Sequence, residues 1–448
     1  MNMETDASTL QDLSIIHQND EQSILKRLDY CRSEGGRRKL NHLITHPHKT
    51  LEQIKGTEAI LKLIHTQIHY WPEEITNGTI QMIDQFYAYP LGSVPKRSAI
   101  SAYLYQLFNR NEYAMVRFSV HHFIDFLKGM RKITHLINQS KDVILLSHMK
   151  EDINKLLSPE PIRNILENEN KPELSAIQQL KYGSYLYHKF RHSFQQLKEI
   201  YYRMDAWQSM ALAMQKNNMQ FPEWVDSELP EIEATELRHL LLNNPVGYQF
   251  KMNNTGNFMF LTGANMAGKS TFIKAVGTAV YLAHLGMGVP AKNMKLSLFE
   301  GIISNIQIQD NIMKGESYFF NEIQRIKNTL TKIKDGRKWL VLIDELFKGT
   351  NIQDAMLCSK TVIEGLVCAP KSIFILSTHL YEIGDDLKKH PNILFRYFET
   401  ISSGNTFSFS YLLKDGISND RFGYLILEKE KVTKLISEIK STYNKNAP

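Results

Sequence analysis

Apolar residues recur at helical spacing through the first half of the chain. Leu25, Leu28 and Cys31, then Leu40, Leu43 and Ile44, then Ile54, Ala59, Ile60, Leu63 and Ile64 follow the short steps that place residues on one helix face. From Tyr113 to Lys216 glycines are few and Leu, Ile, Lys, Glu and Gln abound, with Pro159 and Pro161 marking one break. The spacing predicts helix after helix from about Ser23 to the neighbourhood of Pro245. Near Asn253 the pattern changes. Phe258 to Thr262, Trp339 to Ile343 and Ile373 to Leu376 are short, continuous apolar runs, the pattern of strands buried on both faces. Helical stretches lie between them, beginning with Thr271 to Leu285. Alternating strands and helices predict a doubly wound, mostly parallel sheet with binding loops at the strands' carboxyl ends. The expected organisation is an α-helical region over residues 1–245 followed by an α/β domain over 246–448.

Composition narrows this little. A chain of 448 residues holds two or three domains, and 43% hydrophobic with 22% charged residues is an ordinary globular balance. The net charge of +6 permits a polyanionic partner without requiring one. Three cysteines (Cys31, Cys358, Cys368) make neither a disulfide framework nor a zinc pattern, which fits a reducing compartment. The polar, acidic start has no secretory character. The longest apolar stretch, Val276 to Pro290, is interrupted by Gly277, His284, Gly286 and Gly288 and is too short to span a bilayer. A cytoplasmic location without membrane attachment is the expectation.

The chemistry is concentrated in the second half. Gly263, Ala264, Asn265, Met266, Ala267, Gly268, Lys269 and Ser270 match G-x-x-x-x-G-K-[ST], between a predicted strand and a predicted helix beginning at Thr271. Glycines let the backbone curl until its N–H groups face one anion. Lys269 then neutralises the β and γ phosphates of ATP, Ser270 offers a hydroxyl to Mg²⁺, and the helix adds its positive end. Asp344 and Glu345 close an apolar strand about 75 residues later, the first suited to Mg²⁺ and the second to the attacking water. Ser377-Thr378-His379 ends another strand; His379 is either a γ-phosphate sensor or a satisfied structural histidine. Ser317 precedes an amphipathic helix, either as a plain N-cap or as part of an anion site reaching a partner subunit.

Taken together these segments resemble the ATPase domain of the MutS family: TGANMAGKST, GESYFFNE, LVLIDELFKGTN and STHLYEI occur in that family's order at similar separations, and Asp415 to Gly423 resembles its closing segment. SILKRLDYCRSEGGRRKLNHLITHP resembles the start of the family's helical core. The resemblance implies that Gly263 to Thr271 bind phosphates, Asp344 supports Mg²⁺, Glu345 the water and His379 the γ-phosphate. It further implies that Ser317 touches the partner's ATP, that Asp354 lies near the dimer seam, and that Phe250, followed by Asn253, stacks on adenine. Lys348 stands where the family usually has Arg. With the helical core starting inside the first 30 residues, the family's mismatch-wedging domain is not expected here, nor a β-rich clamp between Tyr113 and Lys216. The function implied is a homodimeric, DNA-binding ATPase using ATP and Mg²⁺, with a role in mismatch repair or related repair and other repair proteins as partners. The alternatives are a nucleotide-gated scaffold and an ATPase acting on something other than DNA. Lys96, Arg97, Arg110, Arg117, Lys128, Arg131 and Lys132 are either a surface that tracks phosphates or an ordinary solvated helix face.

Overall fold

The computed structural model describes residues 2–92, 99–138, 143–167, 174–306, 318–403, 406–418, 427–428 and 430–444. Eleven helices come first: α1 (Ala7–Asp12), α2 (Ile24–Arg27), α3 (Glu34–Thr45), α4 (Leu51–Thr66), α5 (Asn77–Ala88), α6 (Ala99–Phe108), α7 (Arg110–Ile137), α8 (Ile144–Leu157), α9 (Glu160–Glu167), α10 (Ala176–Lys189) and α11 (Arg191–Lys216). The long pair α7 and α11 forms the spine. Val116, Val120, Phe123, Leu127 and Met130 recur every three or four residues and bury one face of α7. Phe123 and Phe126 meet Phe194 of α11 edge to face, with ring centroids 5.6 and 5.0 Å apart. No strand interrupts the described residues between Tyr113 and Lys216.

A buried acid ties α11 to the start of α3. Asp205 accepts the N–H groups of Arg32 (3.0 Å) and Ser33 (2.9 Å) and the hydroxyl of Ser33 (2.7 Å), whose oxygen in turn caps Gly36 N–H at 3.0 Å. A Cβ at Gly36 would stand 2.1 Å from the Asp205 carboxylate, so only glycine allows this approach.

The second half is a mixed α/β domain with two sheets. Its strands are β1 (Glu223–Val225), β2 (Ile232–Leu237), β3 (Tyr248–Met252), β4 (Phe258–Thr262), β5 (Asn293–Ser297), β6 (Gly301–Asn305), β7 (Trp339–Asp344), β8 (Ser372–Ser377), β9 (Ile393–Ser403) and β10 (Thr406–Asp415). Its helices are α12 (Lys269–His284), α13 (Tyr318–Ile333), α14 (Ile352–Leu366), α15 (Gly384–Leu387) and α16 (Val432–Asn444). The larger sheet runs β10-β9-β4-β8-β7-β6; its last five strands are parallel, and β10 is an antiparallel edge. Met259, Leu261, Leu340, Leu342, Ile373 and Ile375 face the core shared with α12. Phe258, Phe260, Val341, Ile343, Phe374 and Leu376 face the one under α13 and α14. Burial on both faces explains the unbroken apolar runs.

The smaller sheet, β1-β5-β2-β3, is mixed and was not expected from the sequence. Its strands are short and alternate, as in β3, where Tyr248, Phe250 and Met252 are buried between exposed Gln249 and Lys251. Two of them precede residue 245 and two follow it, so the sheet straddles the expected boundary. The N-terminal residues also join the α/β domain. Glu4 donates its N–H to Glu300 O (2.9 Å) and accepts that of Ile302 (3.0 Å), extending the large sheet beyond β6. Asp12 then accepts the Ser304 hydroxyl (2.8 Å) and the Ile306 N–H (3.0 Å). Among the described residues no helix is long and apolar enough to cross a membrane.

Candidate nucleotide site

Strand β4 ends at Thr262, and the loop 263–268 turns the chain into α12 at Lys269. Gly263 (φ +130°) and Gly268 (φ +108°) occupy backbone regions that side chains rarely enter, and added Cβ atoms would meet Phe398 O at 3.1 Å and Tyr411 Cδ1 at 3.3 Å. Met266, at φ 67°, is left-handed without being glycine. The loop wraps the buried Lys269, whose ammonium donates to Gly263 O (2.7 Å) and Ala264 O (3.0 Å). Burial holds this amine down at about 8 against the opposing charges of Glu345 and Asp344.

Three parallel strands bring the other groups to the same end of the sheet. Asp344 and Ser377 are register partners on β7 and β8, and the Ser377 hydroxyl donates to the Asp344 carboxylate. Glu345, at φ 67°, donates its N–H to Ser377 O (3.0 Å) and turns its carboxylate between two bases. One oxygen lies 3.1 Å from His379 Nε2 and the other 2.9 Å from Lys348 Nζ. His379 Nε2 is also 3.4 Å from Lys269 Nζ. Burial and the Lys269 charge lower the imidazole's affinity for a proton, and Glu345 works against them.

These groups surround a cavity of about 560 Å³. Ala264, Asn265, Met266, Gly268, Lys269, Ser270, Thr271, Asp344, Glu345 and His379 all line it. Gly263 contributes through its carbonyl, and Ala267 is buried behind the loop. Asp344 and Ser270 present hard oxygen donors to one space, a pair that suits Mg²⁺, which takes few protein ligands.

Phe250 is elsewhere. Its ring is buried edge-on against Phe272 of α12, at 5.3 Å, and does not line this cavity. The reason is strand period: Tyr248 and Phe250 share a face of β3, and two residues of strand, roughly 7 Å, carry Phe250 away from the loop. Leu242, Asn243, Asn244, Pro245, Val246 and Tyr248 line the cavity instead, joined by Tyr411 from β10. The Asn243-Asn244-Pro245 turn signal was the available hint. Asp354 is placed on α14, away from the cavity lining, with its N–H bonded to Asn351 Oδ1 at 3.0 Å. Ser317 lies outside the described residues, as do Lys96 and Arg97. Arg110, Arg117, Lys128, Arg131 and Lys132 fall on one side of α7 at the roughly 100° per residue of a helix, with Lys132 paired to Glu74.

The fold and site define a class first: a mixed α/β domain with a glycine-bounded strand-to-helix loop at the carboxyl ends of parallel strands. The MutS domain V family model matches residues 259–445. "DNA mismatch repair protein MutS" of Streptococcus pyogenes serotype M5 is 27% identical over 235 residues, covering 51% of this chain and 27% of that protein. "DNA mismatch repair protein spellchecker 1" of Drosophila melanogaster is 28% identical over 208 residues, covering 45% and 22%. The similarity to MutS proteins lies in this domain, and the matches span about a quarter of those relatives' length.

Proposed function

We propose that the chain binds and hydrolyses ATP in the cavity beneath the 263–271 loop, within a homodimer that acts on DNA. The observation that carries this reading is the contiguous array Lys269, His379, Glu345 and Lys348, joined by contacts of 2.9 to 3.4 Å beside a glycine-bounded loop. Proteins of the family are ATPases.

Lys269, buried within the loop with its ammonium on the Gly263 and Ala264 carbonyls, would exchange those partners for phosphate. Glu345, held between His379 and Lys348, is placed to accept a proton from water and to orient it. His379 offers a donor beside the transferred phosphate. Asp344 and Ser270 would hold Mg²⁺, which supplies charge neutralisation at the phosphates. Ser317 of the partner subunit is assigned to complete the site, making the pair of sites composite. The DNA assignment draws on the relatives' printed role and on the basic side of α7. Phosphate contacts of that kind carry no sequence information, so duplexes with and without a mismatch should bind alike.

Two variants test the site. Lys269→Ala should lower ATP affinity at least about 100-fold, the loss of one partner from a buried charge pair. Glu345→Gln should keep affinity and lose about 100-fold or more in turnover. Calorimetry and steady-state hydrolysis, with and without duplex DNA across a salt series, read both. Unchanged ATP affinity in Lys269→Ala overturns the site. ATP binding without turnover in the wild type favours a nucleotide-gated scaffold, and turnover without DNA binding at low salt favours an ATPase with another target.

A further inference from the structure

Glu322 lies near the start of α13 with 3% of its surface exposed. Its two oxygens accept the backbone N–H groups of Lys348 and Gly349, each at 3.1 Å. A carboxylate this deep is costly unless donors satisfy it, and these two belong to the turn that follows Asp344 and Glu345. Burial raises its proton affinity, and the Gly349 and Lys348 N–H groups oppose that rise.

The turn needs holding. Glu345 (φ 67°) and Phe347 (φ 59°) are both left-handed, a conformation disfavoured for residues with side chains. The same face of α13 grips it a second time, three residues earlier, where Phe319 packs on the buried Phe347 ring at 5.9 Å. The Lys348 ammonium then reaches back to Glu345 Oε2 at 2.9 Å. A shift at the Lys348 backbone is therefore passed to the carboxylate in the cavity.

We propose that Glu322 is a positioning residue: it clamps the 345–349 turn and thereby aims Glu345 at the water that attacks ATP. This rests on the ATPase reading above. A purely structural role, anchoring α13, would leave the chemical step unmoved, and the test is chosen on that difference. In Glu322→Gln only one of the two facing N–H groups keeps an acceptor, because the amide nitrogen meets the other as a donor.

Amide hydrogen exchange over residues 345–351 should accelerate by about tenfold or more in Glu322→Gln. Turnover should fall about tenfold, with KM and equilibrium ATP affinity within about threefold of wild type. Added to Glu345→Gln, the same change should cost less than about twofold more, since the group it positions is gone. Phe319→Leu, which loosens the ring grip and keeps α13 apolar, should act in the same direction and more weakly. It carries the test if Glu322→Gln does not fold. Unchanged exchange in both variants overturns the clamp. Faster exchange with wild-type turnover, or losses that multiply in the double variant, overturn the positioning role. If the wild type hydrolyses no ATP, the ATPase reading fails and the positioning role with it, while exchange still decides whether Glu322 holds the turn.

Discussion

The helical region and the surroundings of the cavity differ most in their backbones. From Ile24 to Lys216 no described residue, glycine or otherwise, has a left-handed φ. Around the cavity Met266, Glu345 and Tyr411 do, along with Gly263 and Gly268, and Phe347 lies one step away. The buried polar groups divide the same way. Asp205 in the helical region is satisfied by fixed neighbours, two N–H groups and a hydroxyl, and its work is done by joining α11 to α3. Lys269 is buried against the carbonyls of a left-handed loop, on the wall of the cavity. One region spends its polar contacts on stability. The other keeps strained, exchangeable ones where chemistry is proposed.

The largest expected effect breaks the helical side. Asp205→Ala strands two N–H groups and one hydroxyl in the core and should cost about 3–5 kcal/mol of stability in urea denaturation. ATP affinity per folded molecule should not change. A tenfold loss of affinity in fully folded protein would show that the two regions are not separable in this way.

A second test concerns their junction. His284, at the end of α12, faces His48 O with Nδ1 (3.1 Å) and accepts the Phe299 N–H at Nε2 (3.3 Å), so it joins the helical region to the strand pair β5 and β6 as a neutral ring. Burial lowers its pKa to about 4 from 6.5. Below 6.5 the unfolded chain takes up this proton and the folded chain does not until about 4. Its contribution is therefore whole above pH 6.5 and is lost as pH falls toward 4, by about 3 kcal/mol. Denaturation midpoints over that range should drop more steeply for wild type than for His284→Gln. Parallel curves would remove His284 from the account.

The smallest effect sharpens the strained side. Met266 is left-handed and 74% exposed, so Met266→Gly relieves the backbone and loses little packing. It should gain about 1 kcal/mol of stability. A loss instead would mean that the methionine side chain, not the backbone, sets the loop.

Several features could be found in the sequence because their causes are local. Helical spacing marked α3, α4 and α7 to α11, and unbroken apolar runs marked β4, β7 and β8, since a strand covered on both faces has no polar side. The glycine-bounded loop 263–268 and the acid pair at the end of β7 follow the same logic, because a turn and a strand end are short-range events. Phe250 shows where that logic stops: its place in the chain resembles the family's adenine-stacking segment, and only the pairing of β3 shows its ring turned under α12. The short strands β1, β2, β3 and β5 gain their meaning from pairing across as many as 72 positions, Glu223 with Lys295, and short alternating segments do not announce their partners.

By itself, then, the sequence determined the helical character of the first half, the central strands β4, β7 and β8, where the glycine-bounded loop and the acid pair sit along the chain, and which family's ATPase domain they resemble. Tertiary structure alone decided that residues 2–12 complete the α/β domain, that Val246 and Tyr248 rather than Phe250 border the cavity, and that Glu322 meets the turn after Glu345. Each of these is a contact between segments far apart in sequence or on different elements. Local propensity is written in neighbouring residues, whereas such contacts depend on how sheets pair and helices pack, which no single segment encodes.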